Sequence, residues 1–290
     1  MAITERDIEV VLALYKYRYL SGSQIRTLLF PSVQTANRRL RVLVADGYVV
    51  PFRVPGISER LFALNRKGAE LVASQLGVSL GDLRWKPQTR QPKDYLFAKH
   101  FLAVNDFRIA LTQACWDSKE IELVGYIPEY FGEKGSQGTI SKYVSDFVCD
   151  MGSPRDKVQH TPDSVFALEK QGKAALFFLE IDRGTEVVSD PNRGFLKSVR
   201  FYLNYLVAGK YRRYEDDFQR EFPVFRVLYV TTSQDRLDNM RKAATSLPFT
   251  PIHAKRFLWL TILANVTKQT ILQRIWVSAD TADQRLYGIE

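Results

Sequence analysis

Residues 174–182 read Ala-Ala-Leu-Phe-Phe-Leu-Glu-Ile-Asp, and this run constrains the fold more tightly than any other part of the chain. Successive side chains of an extended strand alternate between faces. Ala174, Leu176, Phe178, Glu180 and Asp182 therefore share one face, and Ala175, Phe177, Leu179 and Ile181 the other. Both faces are apolar until the end, which requires a central strand covered on both sides. Glu180 emerges where apolar neighbours still pack. A carboxylate buried there needs a cation, because an unpaired one is costly to desolvate.

A second strand, Asp163–Leu168, precedes it. With Gln171-Gly172 at the centre of a tight connection, antiparallel partners sum to about 343, and Asp163 falls opposite Glu180. Two acids 17 positions apart thus meet at one end of the sheet. With a backbone carbonyl they could hold a hard divalent ion, Mg²⁺ or Mn²⁺, that keeps several waters. Such an ion lowers the pKa of bound water and stabilises charge on phosphate. Plain ion pairing with Arg183, Lys170 or Lys173 accounts for the same acids, and spacing leaves both readings open.

Around these strands the pattern alternates. A helix apolar almost all round spans 96–116, and a strand 120–130. A glycine-rich excursion covers 132–160, and a helix runs from about 191 to 208 with Phe195, Val199, Tyr202, Leu203 and Leu206 on one face. A strand at 225–231, a helix at 234–244 and a strand at 257–263 follow. The order predicts an α/β domain with a mixed sheet over 96–290. The chain has 290 residues, enough for two domains, and its 46% apolar share supports a buried core. Two cysteines, Cys115 and Cys149, make no disulfide framework and point to a reducing compartment. No secretory signal or membrane span is expected, the longest late apolar stretch being 257–266, so a cytoplasmic location is predicted. Zinc-finger spacing, a histidine cluster, a P-loop, GxGxxG and a Ser/His/Asp order are all missing from the sequence.

The net charge of +9 suggests a polyanionic partner. It is uneven: residues 1–95 hold 15 Lys+Arg and 8 Asp+Glu, the remainder 26 and 24. In the basic third, Thr4 and Asp7 form an acidic capping box ahead of Ile8, Val11, Leu12, Tyr15 and Tyr19 at helical spacing. Ser21 or Ser23 caps a second short helix, and Ser32 follows Pro31 to start a third. There Ala36, Leu40 and Leu43 face inward, with Gln34, Asn37, Arg38 and Arg41 opposite and Arg39 at the boundary. Two short strands around Pro55-Gly56, carrying Arg53 and Arg60, form a wing, and a helix over 67–76 closes the module. This outline over 1–80 is a winged helix-turn-helix, whose third helix reads a major groove of double-stranded DNA while basic flanks contact phosphates. Residues 81–95 read as a basic linker.

Several motifs together resemble the plasmid replication-relaxation family. They are Pro162-Asp163, the run from Phe177 through Glu180-Ile181-Asp182-Arg183-Gly184-Thr185-Glu186, Arg6-Asp7, Tyr17-Arg18-Tyr19-Leu20 and Gln24-Ile25. Leu29-Phe30-Pro31, Arg38-Arg39-Leu40 and His100–Asp106 complete the set. The resemblance implies relaxases on a restriction-endonuclease-like core of PD-(D/E)XK pattern. It would make Asp163 and Glu180 metal ligands, with Asp182 assisting catalysis from the position where that pattern has lysine. Lys197, on the following helix, is the candidate substitute, and Asp106 a candidate third acid. Tyr202, Tyr205, Tyr211 and Tyr214 are the candidate nucleophiles for a covalent route.

These readings converge on a DNA-binding protein that nicks or relaxes an origin-type site by metal-dependent phosphodiester cleavage. The alternative is a non-catalytic origin-binding initiator or regulator that retains the nuclease-like fold, and the departure at Asp182 favours it. Replication or conjugation proteins and a second copy of the chain are further candidate partners.

Overall fold

The Asp7 backbone N–H donates to the Thr4 hydroxyl at 3.3 Å, and the Asp7 carboxylate accepts from the Thr4 N–H at 2.9 Å. This reciprocal box starts helix α1, Glu5–Tyr17. The computed structural model describes residues 3–83, 85–87, 95–134, 140–245, 247 and 257–289. The chain divides into two units, Met1–Ile109 and Ala110–Glu290.

In the first unit α1 ends at Arg18, whose φ of 64° turns the chain into β1, Tyr19–Ser21. Tyr19 is thus a strand residue and not part of the first helix. Val10, Val11, Leu14 and Tyr17 form the buried face of α1, whereas Ile8, Leu12 and Tyr15 lie at its margin. Packing against the sheet and the fourth helix chooses that face. Helices α2, Gly22–Leu29, and α3, Val33–Ala45, follow, capped by Ser21 and Ser32. Strands β2, Val49–Phe52, and β3, Leu61–Leu64, pair antiparallel, and β1 adds to the far side of β3. Helix α4, Arg66–Leu76, closes the module. Leu80, Leu83 and Trp85, in or beside the expected linker, pack on this core instead. Tyr15 Oη donates to the Leu83 carbonyl at 3.2 Å. Arg84, Arg90 and Lys93 lie outside the described residues.

Helix α5, Tyr95–Asp117, contains the division between units. Its first part is tied to the first unit by polar bonds. Buried Asn105 donates to the Tyr19 carbonyl at 2.9 Å, and Gln24 donates to the Leu102 carbonyl at 2.9 Å and to Asp106 at 2.7 Å. Asp106 therefore serves the first unit.

The second unit begins with α5 residues 110–117 and β4, Ile121–Pro128. The expected excursion is two hairpins: β5, Gly132–Lys134, with β6, Ile140–Lys142, and β7, Asp146–Asp150, with β8, Ser153–His160. Next come β9, Ser164–Lys170, β10, Lys173–Ile181, α6, Gly194–Val207, and α7, Arg213–Phe218. Strand β11, Phe225–Thr231, helix α8, Gln234–Thr245, and strands β12, Leu258–Ile262, β13, Trp276–Ser278, and β14, Leu286–Tyr287, complete it. Seven strands form one mixed sheet in the order β14-β13-β12-β11-β10-β9-β4. The β10–β11 and β11–β12 pairs are parallel and the others antiparallel.

Strand β10 lies inside this sheet as its two apolar faces require. Phe177 stacks on Phe166 of β9 at 5.1 Å on one face. On the other, Phe178 meets Tyr202, Tyr205, Tyr214 and Phe225 at 4.9–5.9 Å. Each fully buried aromatic of this kind stabilises the fold by ~1.5–3 kcal/mol, and edge-to-face geometry suits the ring quadrupoles. Gln171 and Gly172, both at positive φ, make the tight β9–β10 turn, so that Lys173 pairs with Lys170 and Leu179 with Ser164. No helix among the described residues is long and apolar enough to cross a membrane.

Candidate functional site

Just beyond the last β9–β10 pair, Ser164 with Leu179, Asp163 stays bonded to the end of β10. The Asp163 N–H donates to the Leu179 carbonyl at 3.1 Å, and its carboxylate accepts from the Ile181 N–H at 2.7 Å. Asp163 and Glu180 therefore meet at one sheet end, as the hairpin arithmetic requires. The partner of Glu180 is none of Arg183, Lys170 or Lys173. It is His160, the last residue of β8, with Nε2 at 2.6 Å from Glu180 Oε1. Tyr202 of α6 donates its hydroxyl to the same oxygen. The aromatic packing of α6 on Phe178 sets that hydroxyl in place.

Burial opposes a charged His160, yet Glu180, Asp163 and Glu186 outweigh it and hold the imidazole above its ordinary pKa. Burial also raises the Glu180 carboxyl, against the pull of His160. Glu186 keeps an exposed surface, but desolvation of its carboxyl, with the charges of Glu180, Asp182 and Asp163, pushes it up to about 7. These shifts share one sign in stability. A folded pKa raised above the unfolded one adds stability at low pH that is lost as pH rises through the folded value. For Glu186 that window runs from 4.5 to about 7. Glu186→Gln is therefore expected to raise the urea midpoint above the parent at pH 8 and leave it equal near pH 4.5. Solvent screening limits the gain to about 1 kcal/mol.

Asp182 sits differently. It is 2% exposed, and Arg236 of α8 grips both its oxygens, one at 2.8 Å. Thr231 donates to it at 2.6 Å and the Gly184 N–H at 3.1 Å. Asp182 is thus committed to bracing the strand end and the following loop. The loop returns to α6 at Gly194, where φ is +55° and an added Cβ would lie 2.3 Å from the Val187 carbonyl oxygen, so only glycine fits. Lys197 stands half-exposed in the first turns of α6 and has no ion-pair partner among the described residues. Tyr202, Tyr205, Tyr211 and Tyr214 are all buried, and desolvation first of all raises the hydroxyl pKa of Tyr202, Tyr205 and Tyr214. None presents a nucleophile at the surface.

Among the described residues no group of three His, Cys, Asp or Glu side chains is gathered as a cage for a metal ion. The Asp163–Glu180 pair, with Glu186 electrostatically coupled to it, is an oxygen-donor set that fits only a hard cation keeping most of its own waters.

In the first unit, α3 separates its arginines by role. Arg39 makes a two-pronged pair with Asp7, whose side chain is 1% exposed. Burial would raise the Asp7 carboxyl, but Arg39 and Thr4 hold it below the usual carboxylate range. Gln34, Asn37, Arg38 and Arg41 are exposed on the outer face, and their side chains make no hydrogen bond or ion pair among the described residues. Arg53 and Arg60, between β2 and β3, are exposed and equally uncommitted.

Sequence reasoning missed His160, Glu186 and Arg236. His160 lies three residues before Asp163, and a strand ending in His-Thr-Pro-Asp was the available signal. Arg236 carried none, because 54 residues separate it from Asp182. A family model described as replication-relaxation matches residues 12–220. No curated protein matches the chain.

Proposed function

The chain belongs to the replication-relaxation family, and from that premise we propose that it acts in plasmid replication by recognising double-stranded DNA at an origin-type site and relaxing it through phosphodiester cleavage. One observation carries the reading. Gln34, Asn37, Arg38 and Arg41 stand exposed and unspent on one face of α3, beside a hairpin bearing Arg53 and Arg60. Helix order and sheet pairing support a winged helix-turn-helix, with α3 as the helix that enters the major groove. Asn and Gln suit adenine edges and Arg suits guanine, while Arg53 and Arg60 meet phosphates.

The second unit carries the chemistry in this reading, on a nuclease-like α/β sheet. Asp163 and Glu180 would hold a Mg²⁺ or Mn²⁺ ion, which would supply activation of water and stabilisation of phosphate charge. His160 and Tyr202 orient Glu180 through its Oε1. Lys197 supplies positive charge toward the phosphate from α6. Supercoiled origin plasmid incubated with protein and Mg²⁺ is expected to relax, and Asp163→Asn or Glu180→Gln to abolish relaxation. Mg²⁺ is expected to raise the thermal midpoint of the parent and not that of Glu180→Gln, by mass action on the folded state.

A second reading has its own observation. Asp182 stands where the nuclease pattern has lysine and is consumed by Arg236, while His160 and Tyr202 already occupy Glu180 Oε1. This favours a non-catalytic origin-binding initiator or regulator. Duplex binding with no relaxation under any divalent ion, and no metal-dependent midpoint, would establish it in place of the first.

A further inference from the structure

The β7–β8 hairpin has an outer face that the proposed cleavage site leaves unused. Phe147 pairs with Gln159 and Cys149 with Lys157, and all four are exposed, whereas Val148 and Val158 are buried against the unit's core. Phe147 is 45% exposed, unusual for an aromatic on a two-stranded ribbon. Two ammonium groups attend its ring: Lys210 Nζ at 4.2 Å from the centroid and Lys157 Nζ at 4.8 Å. Lys210 also donates to the Phe147 carbonyl at 2.7 Å, which fixes it beside the ring. The inward acids are already matched, Asp146 by Arg213 at 3.4 Å and by Lys210 at 3.7 Å, and Asp150 by Arg200 at 3.3 Å. With Asp146 shared between two cations, Arg155 and Lys157 leave this face with an excess of positive charge over Asp156, the hairpin's exposed acid.

An exposed ring with cations beside it is an arrangement that takes an unpaired base, the ring stacking on it and the ammonium groups meeting the flanking phosphates. Duplex DNA offers no base face to such a ring. The same strand β8 runs from Lys157 to His160, about 10 Å at ~3.3 Å per residue, and His160 is bonded to Glu180. We propose that the outer face of the β7–β8 hairpin binds single-stranded nucleic acid, with Phe147 stacking on a base and Lys157 and Lys210 contacting its backbone. The inference deepens the proposed function and rests on it for its purpose: holding a strand unpaired beside Asp163 and Glu180. The surface is distinct from α3, so the two are separable by mutation.

The test is fluorescence anisotropy of the full chain with a labelled single strand of about 20 nucleotides and with its duplex. Phe147→Ala is expected to weaken single-strand binding by about fivefold or more and leave duplex affinity unchanged. Phe147→Trp is expected to retain single-strand binding, and Lys157→Ala with Lys210→Ala to flatten its salt dependence. Arg38→Ala with Arg41→Ala should do the reverse, weakening duplex binding alone. No single-strand binding by the parent, a Phe147→Ala affinity unchanged from the parent, or an equal loss on both probes would overturn the proposal. So would Phe147-dependent binding to anionic phosphatidylglycerol vesicles in place of the oligonucleotide. Phe147-dependent single-strand binding without any duplex binding would sustain it and defeat the origin-recognition reading.

Discussion

Arg38→Ala combined with Arg41→Ala is expected to cut affinity for duplex DNA by at least about thirtyfold, from ~1–3 kcal/mol for each lost contact, with the fold intact. Both side chains are exposed and bond to nothing in the first unit, so their removal strands no partner. If both meet phosphates, the slope of log K against log salt should also fall by about 2. Arg39→Ala forms the internal control. It leaves Asp7 buried without its cation, and breaking a buried pair from one side costs ~3–5 kcal/mol. Its weaker binding should therefore follow from unfolding, with a lowered urea midpoint that the double variant does not share. Titration of labelled duplex at two salt concentrations, with urea unfolding of each variant, measures both. Unchanged affinity in the double variant would remove α3 as the DNA-reading element.

Asp182→Ala is expected to destabilise the second unit by ~3–5 kcal/mol. The carboxylate is 2% exposed and answers Arg236, the Thr231 hydroxyl and the Gly184 N–H, so truncation takes the acceptor from Thr231 and Gly184 and leaves Arg236 only the Glu186 carbonyl. Arg236→Ala should cost a similar amount, because it leaves the acid buried without its cation. The double variant should cost less than the sum of the two, since the interaction can be lost only once. Urea unfolding followed by circular dichroism reads all three. Glu180→Gln should behave in the opposite way, keeping its stability near the parent's and losing relaxation. A stable Asp182→Ala protein that has lost relaxation would make Asp182 a participant in the chemistry and not a brace.

Much of this site was legible in residue order. The period of two in 174–182, together with Gln171-Gly172, determines both the central placement of β10 and the pairing that brings Asp163 to Glu180, because a hairpin register follows from turn position. Helical spacing likewise separates the inward Leu40 and Leu43 from the outward Arg38 and Arg41. The capping box at Thr4 and Asp7 is equally local. What lay beyond the sequence is long-range. Tyr19 fits the period of α1, yet pairing with β3 claims it for a strand, since sheet hydrogen bonds outweigh a weak local preference. The division within α5 depends on Asn105 and Gln24 finding carbonyls and a carboxylate elsewhere in the first unit.

The acids and arginines show the same boundary most clearly. Sequence by itself determined that Asp163, Glu180 and Asp182 cluster at a strand end, and that Arg38, Arg39 and Arg41 share one helix. Only the tertiary structure decided which of them are spent. Arg236 claims Asp182, Asp7 claims Arg39, and His160 stands at Glu180 in place of a lysine. The reason is physical: a strand or helix period fixes the direction a side chain takes, but the partner that neutralises a buried charge comes from wherever the chain folds back, and that distance has no period.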